Sequence, residues 1–124
     1  MHEDDLSLGL LDINPLAEGH CLIIPKRHVP WWHDLTTEET ESLFSVARII
    51  AGKMMQTFQL DFVCLYARGR RIPHTHIFLV PTSQGDPVDR FFNALEGFQE
   101  APEGLIRLKQ EDRMKETDER LRKI

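Results

Sequence analysis

One stretch of the sequence decides the predicted fold, and it reads Arg70-Arg71-Ile72-Pro73-His74-Thr75-His76-Ile77-Phe78-Leu79. The residues from Ile72 to Val80 favour a β-strand, which Pro81 is expected to end. Alternate side chains of a strand lie on one face, so His74, His76 and Phe78 are predicted to share a face. Two imidazoles side by side offer a nucleophile and a proton carrier near neutral pH.

The two apolar runs that open the chain predict a β-hairpin. Leucines alternate between Leu6 and Ile13, and a second run, His20 to Ile24, is stopped by Pro25. Their connection, from Asn14 to Gly19, contains the turn-forming residues proline and glycine.

The middle of the chain predicts a long helix followed by a strand. A threonine cap and glutamates in the first turn, within Asp34-Leu35-Thr36-Thr37-Glu38-Glu39, indicate where the helix begins. The helix is expected to end near Phe58. Within it apolar residues recur at helical spacing, at Leu43, Val46, Ile50 and Met54. The run from Phe62 to Ala67 is β-branched and aromatic, which favours a strand.

The C-terminal third is predicted to be helical. Asp86 and Pro87 suit the cap and first residue of a helix that continues through Phe98. From Pro102 the chain is charged, with favourable i,i+4 pairs such as Asp118 and Arg122. We therefore expect a domain over residues 1–100 and a charged helical extension over residues 101–124. The fold class is predicted to be α+β: an antiparallel meander of four to five strands with a long helix and C-terminal helices.

Composition restricts the possible functions. A chain of 124 residues with 41% hydrophobic residues can build one core, and its net charge of −5 argues against nucleic-acid binding. The acidic N-terminus is unlike a secretory signal, and no apolar run is long enough to span a membrane, so a cytoplasmic protein is expected. Cys21 and Cys64 lie in apolar runs and are predicted to be buried, reduced thiols.

Arginines precede the histidines on a turn that contains Gly69. Arg68, Arg70 and Arg71 carry guanidinium groups whose geometry matches phosphate oxygens. Such a turn is more often solvated surface, but its position next to His74 and His76 favours an anion-binding role.

Two further features leave alternatives open. An H-x-H pair also occurs in zinc sites, and His2, His20, His28 or His33 could supply a third ligand through folding, but we expect no metal and no cofactor. The pair Trp31-Trp32 could stack on a base, although core or interface packing is the favoured interpretation.

Three blocks of this sequence carry a resemblance to a known family. They are Leu11-Asp12-Ile13-Asn14-Pro15-Leu16-Ala17-Glu18-Gly19-His20, Leu22-Ile23-Ile24-Pro25-Lys26-Arg27-His28 and Pro73-His74-Thr75-His76-Ile77-Phe78-Leu79-Val80-Pro81. In these blocks and their order the chain resembles the histidine-triad (HIT) nucleotide hydrolases and transferases, over about residues 3 to 90.

The resemblance implies an activity and a set of site residues. His76 stands where the family has the nucleophile that attacks the α-phosphorus of a nucleotide, and His74 stands where it has a supporting histidine. The implied nucleotide-binding residues are Asp12, Ile13, Asn14, His20 and Leu22, to which we add Arg70 and Arg71. The implied substrate is a purine nucleotide or dinucleotide, and the implied assembly is a homodimer without nucleic-acid or membrane partners.

The sequence also departs from the family's pattern. The third histidine of the triad is replaced by Phe78, which can neither donate a hydrogen bond nor stabilise a leaving group. Loss of a transition-state donor typically lowers the rate by about a hundred- to a thousandfold. A catalytically weak or inactive nucleotide-binding module of the same fold is therefore the alternative to a nucleotidyl hydrolase or transferase.

Overall fold

The computed structural model describes residues 2–100 and 103–124. These residues form two compact units, one ending at Val88 and the other beginning at Asp89. The strands are β1 (His2–Glu3), β2 (Ser7–Leu11), β3 (Cys21–Pro25), β4 (Phe62–Tyr66) and β5 (Ile77–Thr82). The helices are α1 (Thr37–Thr57), α2 (Pro87–Gly97), α3 (Glu103–Ile106) and α4 (Glu111–Arg122). Residues 101 and 102, where the charged extension was predicted to start, lie outside the described residues.

The N-terminal unit contains a five-stranded antiparallel sheet in the order β1-β2-β3-β5-β4. This confirms the predicted α+β class and antiparallel sheet. The order is not that of a simple meander, because β5 lies between β3 and β4. The prediction also missed β1, since two residues are too few to show a strand pattern.

The predicted hairpin is confirmed in β2 and β3. Leu8 lies opposite Ile24 and Leu11 opposite Cys21. Gly19, at the end of the connecting loop, has a φ of 89°, a conformation that residues with a Cβ rarely adopt. A Cβ at this position would also lie 2.7 Å from the ring of Phe58. Glycine is therefore required there for both reasons.

The predicted helix is confirmed as α1, with Thr36 as its N-cap and Phe58 as its C-cap. The hydroxyl of Thr36 accepts from the amide of Glu39 (3.1 Å), and the Glu39 carboxylate accepts from the amide of Thr36 (2.9 Å). The apolar residues expected on one face are all buried and belong to the core between α1 and the sheet; they are Leu43, Val46, Ile50 and Met54. Ile23 of β3 and Leu79 of β5 lie in the same core.

Arg27 and Glu39 join the end of β3 to the first turn of α1. Two guanidinium nitrogens of Arg27 lie 2.8 and 2.9 Å from the two carboxylate oxygens of Glu39, whose side chain is buried. The hydrogen bond from Arg27 and that from the Thr36 amide lower the pKa of Glu39 from 4.5 to about 2.

This pair predicts a pH-dependent stability. A carboxylate with a lowered pKa in the folded state stabilises the protein above its unfolded pKa, and that contribution disappears as the pH falls toward the folded value. We expect the free energy of unfolding to decrease between about pH 4.5 and pH 2 in the wild type, and to vary less over this range in Glu39→Gln. Urea denaturation at several pH values measures this, with Glu41→Gln on the exposed face of α1 as control. Identical pH profiles for wild type and Glu39→Gln would contradict the assignment.

The strand predicted over Ile72–Val80 is shifted in the structure. It begins at Ile77 and passes through Pro81 to Thr82, so the prediction was wrong at both ends. Before Ile77 the chain leaves the sheet, because the amide and hydroxyl of Thr75 both donate to the carbonyl of Val29, at 2.7 and 2.6 Å. At the other end the pairing with β3 stops at Leu79 and β4 alone continues, which is compatible with a proline that lacks an N–H.

The two cysteines differ in burial. Cys21 is buried, as predicted, whereas Cys64 on edge strand β4 is only half-buried, so the prediction was wrong for Cys64; neither thiol forms a disulfide within the described residues. Burial raises the pKa of each thiol. None of the helices that the structure describes is long and apolar enough to cross a membrane.

The C-terminal unit consists of helices. The predicted helix at Pro87 is confirmed as α2, and α4 carries the expected charge pattern, with Asp118 and Arg122 2.7 Å apart. The side chains of α4 are exposed along its whole length. Asp86 accepts from the hydroxyl of Thr82 and the amide of Ser83, which stabilises the turn between β5 and α2.

Candidate functional site

His76 lies immediately before β5 and is buried, with 6% of its surface exposed. Its Nδ1 lies 2.9 Å from the backbone carbonyl oxygen of His74. A carbonyl oxygen only accepts, so the neutral imidazole of His76 must carry its proton on Nδ1. The lone pair is therefore on Nε2, which has no proton in this tautomer.

His74 contacts His76 through its backbone rather than through its ring. Its Nε2 lies 3.0 Å from the carbonyl oxygen of Pro25, and its Nδ1 lies 3.2 Å from Nδ1 of His28. The two rings stack with centroids 5.2 Å apart. Since Nε2 of His74 donates to Pro25, Nδ1 of neutral His74 accepts, and His28 supplies that proton. The prediction that His74, His76 and Phe78 share one face of a strand was wrong for both histidines, because strand β5 begins only at Ile77.

Phe78 connects His76 to the rest of the sheet face. Its ring meets His76 edge-on at 4.6 Å and His20 edge-on at 5.2 Å, and it lies 5.0 Å from the ring of Tyr66. In the sheet register Phe78 lies opposite Leu22 of β3. Its aromatic surroundings thus place an apolar ring beside the candidate nucleophile.

His20 is buried and neutral. Its Nδ1 accepts from the amide of Leu16 at 3.0 Å, so its proton is on Nε2, which lies 3.5 Å from Oδ2 of Asp12. Burial lowers the pKa of His20, and the negative charge of Asp12 offsets part of that shift. Among the described residues, Nε2 of His20 is a buried side-chain nitrogen without a hydrogen-bond partner. A small movement of Asp12 or a bound hydroxyl would satisfy it.

The predicted nucleotide-binding residues of the hairpin form one group. Asp12 follows β2 and accepts from the amide of Asn14 at 2.8 Å, while Leu22 is half-buried on β3. Ile13 and Asn14 are exposed on the intervening loop. The side chain of Ile13 is fully exposed (101%), so its apolar surface is in contact with solvent. Through His20 and Phe78 this group is continuous with His76.

A cavity of about 370 Å³ opens beside His76. Its lining includes Trp31 and Trp32 on one segment and Arg68 and Arg70 on another. Arg71 is not among the cavity-lining residues in the described part of the chain. The predicted proximity of arginines to His76 therefore applies to Arg70 and to Arg68, which the sequence prediction had named only as part of the basic turn.

The tryptophans are not core residues, so the sequence interpretation was wrong about core packing, while packing at an interface stays a prediction. Trp31 is 52% exposed and Trp32 65% exposed, and both lie on the turn between β3 and α1. Two adjacent bulky aromatic residues are ordinarily buried, and the sequence carries no local signal that this turn would instead face a cavity.

Metal-ligating side chains do not cluster in the described part of the chain. Over residues 2–100 and 103–124, no group of three or more histidine, cysteine, aspartate or glutamate side chains is arranged to hold a metal ion.

Comparison with known proteins decides the family. The family model described as the HIT domain matches residues 1–85. The chain is a HIT-domain protein. Its sequence is 34% identical over 91 residues to an adenylylsulfatase, HINT3, of Arabidopsis thaliana, covering 69% of this chain and 46% of that protein. It is 31% identical to a bis(5'-adenosyl)-triphosphatase of Dictyostelium discoideum, covering 74% of this chain and 66% of that protein.

Solved structures of HIT proteins share the fold. The crystal structure of a Hit-like protein from Bartonella henselae superposes with a TM-score of 0.65 at 28% identity, covering 68% of this chain and 67% of that one. This HIT-domain protein spans about half the length of the first curated relatives, 46% of one and 54% of another.

Proposed function

We propose that this HIT-domain protein hydrolyses or transfers the nucleotidyl group of a purine nucleotide or dinucleotide, acting at the α-phosphate of a phosphoanhydride or phosphoramidate. The observation that carries the proposal is the 2.9 Å contact between Nδ1 of His76 and the carbonyl oxygen of His74, which assigns the tautomer of His76. Its proton lies on Nδ1 against the His74 carbonyl, so Nε2 is free to act as a nucleophile.

The proposed reaction has two steps. In the first, the Nε2 lone pair of His76 forms a bond to the α-phosphorus while the bond from phosphorus to the leaving group breaks and its electron pair departs with the leaving group. In the second, water attacks the same phosphorus, the bond from phosphorus to Nε2 breaks with its electron pair returning to His76, and one water proton passes to the solvent. A nucleoside monophosphate is released and the imidazole is neutral again. The net reaction consumes one water, and transfer results when another acceptor replaces water.

The other site residues are proposed to bind different parts of the nucleotide or to position the residues that do. In this proposal Asp12 accepts hydrogen bonds from ribose hydroxyls, and the exposed Ile13 and half-buried Leu22 offer apolar surface to a base. The ring of His20 supports the face beneath Phe78, the backbone amide of Asn14 holds the loop to Asp12, and the backbone carbonyl of His74 positions His76. Arg70 and Arg71 supply positive charge for phosphate oxygens.

The names of related proteins are consistent with this chemistry. They include adenylylsulfatase, bis(5'-adenosyl)-triphosphatase and, in Saccharomyces cerevisiae, adenosine 5'-monophosphoramidase. All three names describe cleavage at a nucleotide phosphate, with different leaving groups.

A substrate panel tests the proposal. The protein is incubated with adenosine and guanosine phosphosulfates, phosphoramidates and dinucleoside polyphosphates, and the nucleoside monophosphate released is measured by chromatography, with and without a chelator. We expect monophosphate release that persists in the chelator. If no member of the panel releases a nucleoside monophosphate, the proposal is contradicted. Loss of activity in the chelator would indicate a metal-dependent reaction instead.

Phe78 favours a second candidate function. Because a phenyl ring cannot protonate a leaving group or donate to a phosphate oxygen, the same face would serve a nucleotide-binding or sensing module of low activity. Isothermal titration with nucleoside monophosphates separates the two. Binding without turnover across the panel would select the sensing module.

We also propose that two copies associate through edge strand β4. This strand has β5 on one side, and its Phe62 and Leu65 are 49% and 45% exposed. Light scattering of the purified protein measures its mass directly. A monomer at all concentrations would contradict this part of the proposal.

A further inference from the structure

The cavity beside His76 contains two features that the proposed attack on phosphorus does not use. One is the exposed pair Trp31 and Trp32, and the other is Arg68, which lies beside Arg70 on the loop before the histidines. The nucleoside and α-phosphate are assigned above to the hairpin residues and to His76. The tryptophans and Arg68 therefore remain for another part of the ligand, and Arg70, which is assigned above to phosphate oxygens, lines the same cavity.

The tryptophans are held in place by their backbone. The amide of Asp34 donates to the carbonyl of Trp31 (3.0 Å) and that of Leu35 to the carbonyl of Trp32 (3.2 Å), which closes a short 3₁₀ turn. Leu35 packs against the core and so anchors the end of this turn. The aromatic surface is thus exposed on an ordered turn rather than on a free loop.

The same turn is tied to the candidate nucleophile. Thr75, the residue before His76, makes two hydrogen bonds to the carbonyl of the buried Val29, two residues before Trp31. The ring of Trp31 is parallel to that of His33 at a centroid distance of 6.3 Å, and Trp32 meets His33 edge-on at 5.8 Å. Flat aromatic surface is therefore fixed relative to His76.

The arginines bring uncompensated charge to the cavity. Among the ion pairs formed by the described residues, none involves Arg68 or Arg70, although the chain as a whole has a net charge of −5. Both side chains are exposed, so their guanidinium groups are free to bind an anion.

We propose that this tryptophan–arginine cavity, defined by Trp31, Trp32, Arg68 and Arg70, binds the leaving group of the substrate, and that it selects a leaving group with an aromatic ring joined to an anionic phosphate, such as a second nucleotide. The indoles stack on the ring and the guanidinium groups bind the phosphate. This proposal rests on the proposed function, because it assigns the part of the substrate that lies beyond the phosphorus attacked by His76.

The chemistry beside His76 agrees with such a leaving group. When the bond between the α-phosphorus and the bridging oxygen breaks, the electron pair stays on that oxygen as the second nucleotide departs. A phosphate accepts this pair as a stable anion without first receiving a proton, so the absence of a proton donor at Phe78 matters least for it. The positive charge of Arg68 and Arg70 stabilises the same anion.

The size of the cavity suits a ligand of this class. Its volume of about 370 Å³ lies within the range of about 300–1,000 Å³ that is usual for small-molecule pockets. Stacking of a base on an aromatic side chain raises affinity by about five- to 150-fold, as judged by alanine substitution.

The test uses binding, so that it does not depend on turnover. Two non-hydrolysable ligands are compared: a dinucleoside triphosphate with a methylene bridge at the scissile position, and the corresponding methylene nucleoside triphosphate, which lacks only the second nucleoside. Because Trp31 and Trp32 are the chain's two tryptophans, quenching of tryptophan emission reports on this cavity alone. We expect the dinucleotide to quench the emission and to bind at least about fivefold more tightly than the shorter ligand.

Variants assign the effect to the cavity. Calorimetry should show that Trp31→Ala/Trp32→Ala abolishes the dinucleotide's advantage, that Trp31→Phe/Trp32→Phe keeps most of it, and that Arg70→Ala weakens both ligands while Arg48→Ala on α1 does not. Thermal unfolding confirms that each variant is folded. Equal affinity of the two ligands for the wild type, or an advantage that survives the double alanine variant, would overturn the proposal. If either of these results is found while the protein still turns over substrate through an adduct on His76, only the cavity proposal fails and the proposed function stands. If the dinucleotide binds more tightly but is not turned over, the cavity proposal stands and the proposed reaction fails.

Discussion

Replacement of His76 by alanine is expected to lower kcat/KM for nucleotide hydrolysis by about four to six orders of magnitude, as loss of the nucleophile does in other covalent mechanisms. The imidazole is buried, its Nδ1 proton is directed to the His74 carbonyl, and no second imidazole is oriented in the same way by the contacts described for His20 or His74. Nothing else at this position can form the covalent intermediate.

The control for this experiment is nucleotide affinity. The side chains proposed to bind the nucleoside lie on the hairpin, so the Kd of a nucleoside monophosphate should change by less than about tenfold in His76→Ala. His76→Gln preserves more of the side-chain volume and should be equally inactive. Retention of a tenth or more of the wild-type activity by either variant would contradict a nucleophilic role for His76.

Replacement of Phe78 by histidine is expected to raise the rate for substrates whose leaving group must be protonated. Phe78 meets His76 edge-on at 4.6 Å, so an imidazole there would lie next to the reacting phosphate. General acid catalysis contributes about 100- to 10,000-fold, and we expect at least the lower end of this range for an amine leaving group. For a phosphate or sulfate leaving group we expect less than about tenfold, because these depart as stable anions.

The measurement is kcat for a nucleoside phosphoramidate and for a nucleoside phosphosulfate, in the wild type and in Phe78→His. Phe78→Leu is the matched control, since it changes the ring without adding a donor. The histidine variant loses part of the aromatic packing with His20 and Tyr66, so a stability loss of about 1–2 kcal/mol is expected. An equal change for both substrates would contradict the role assigned to position 78.

Local signals explain what the sequence could predict. The capping residues Thr36 and Glu39 act within a few residues of one another, and the apolar spacing of α1 records which face is buried. The hairpin of β2 and β3 is similarly local, with Gly19 as its decisive turn residue. For such elements the sequence contains both the start and stop signals and the pattern between them.

Features that depend on distant contacts could not be predicted in this way. The strand β5 begins at Ile77 because Thr75 is bound to Val29, more than forty residues away in sequence. Its place between β3 and β4 is likewise a property of the whole sheet. The exposure of Trp31 and Trp32 has the same origin, since burial was the ordinary expectation for two large aromatic residues.

The candidate site shows both cases. The sequence identified His74 and His76, but it assigned them equivalent positions on one strand, whereas the structure gives His76 a buried ring and gives His74 a ring that pairs with His28. The tautomers followed only from the carbonyl oxygens of Pro25 and His74, which carry no sequence signature. Arg68 became a candidate only when the cavity placed it with His76.

The central claim is that His76 forms a covalent bond to the α-phosphorus through Nε2. Rapid acid-free quenching during turnover, followed by peptide mass spectrometry, measures this directly. The account predicts a nucleoside monophosphate adduct on the peptide containing His76, localised to that residue by fragmentation and absent from His76→Gln. Turnover at the wild-type rate with no adduct on His76, or with the adduct on another residue, would contradict it.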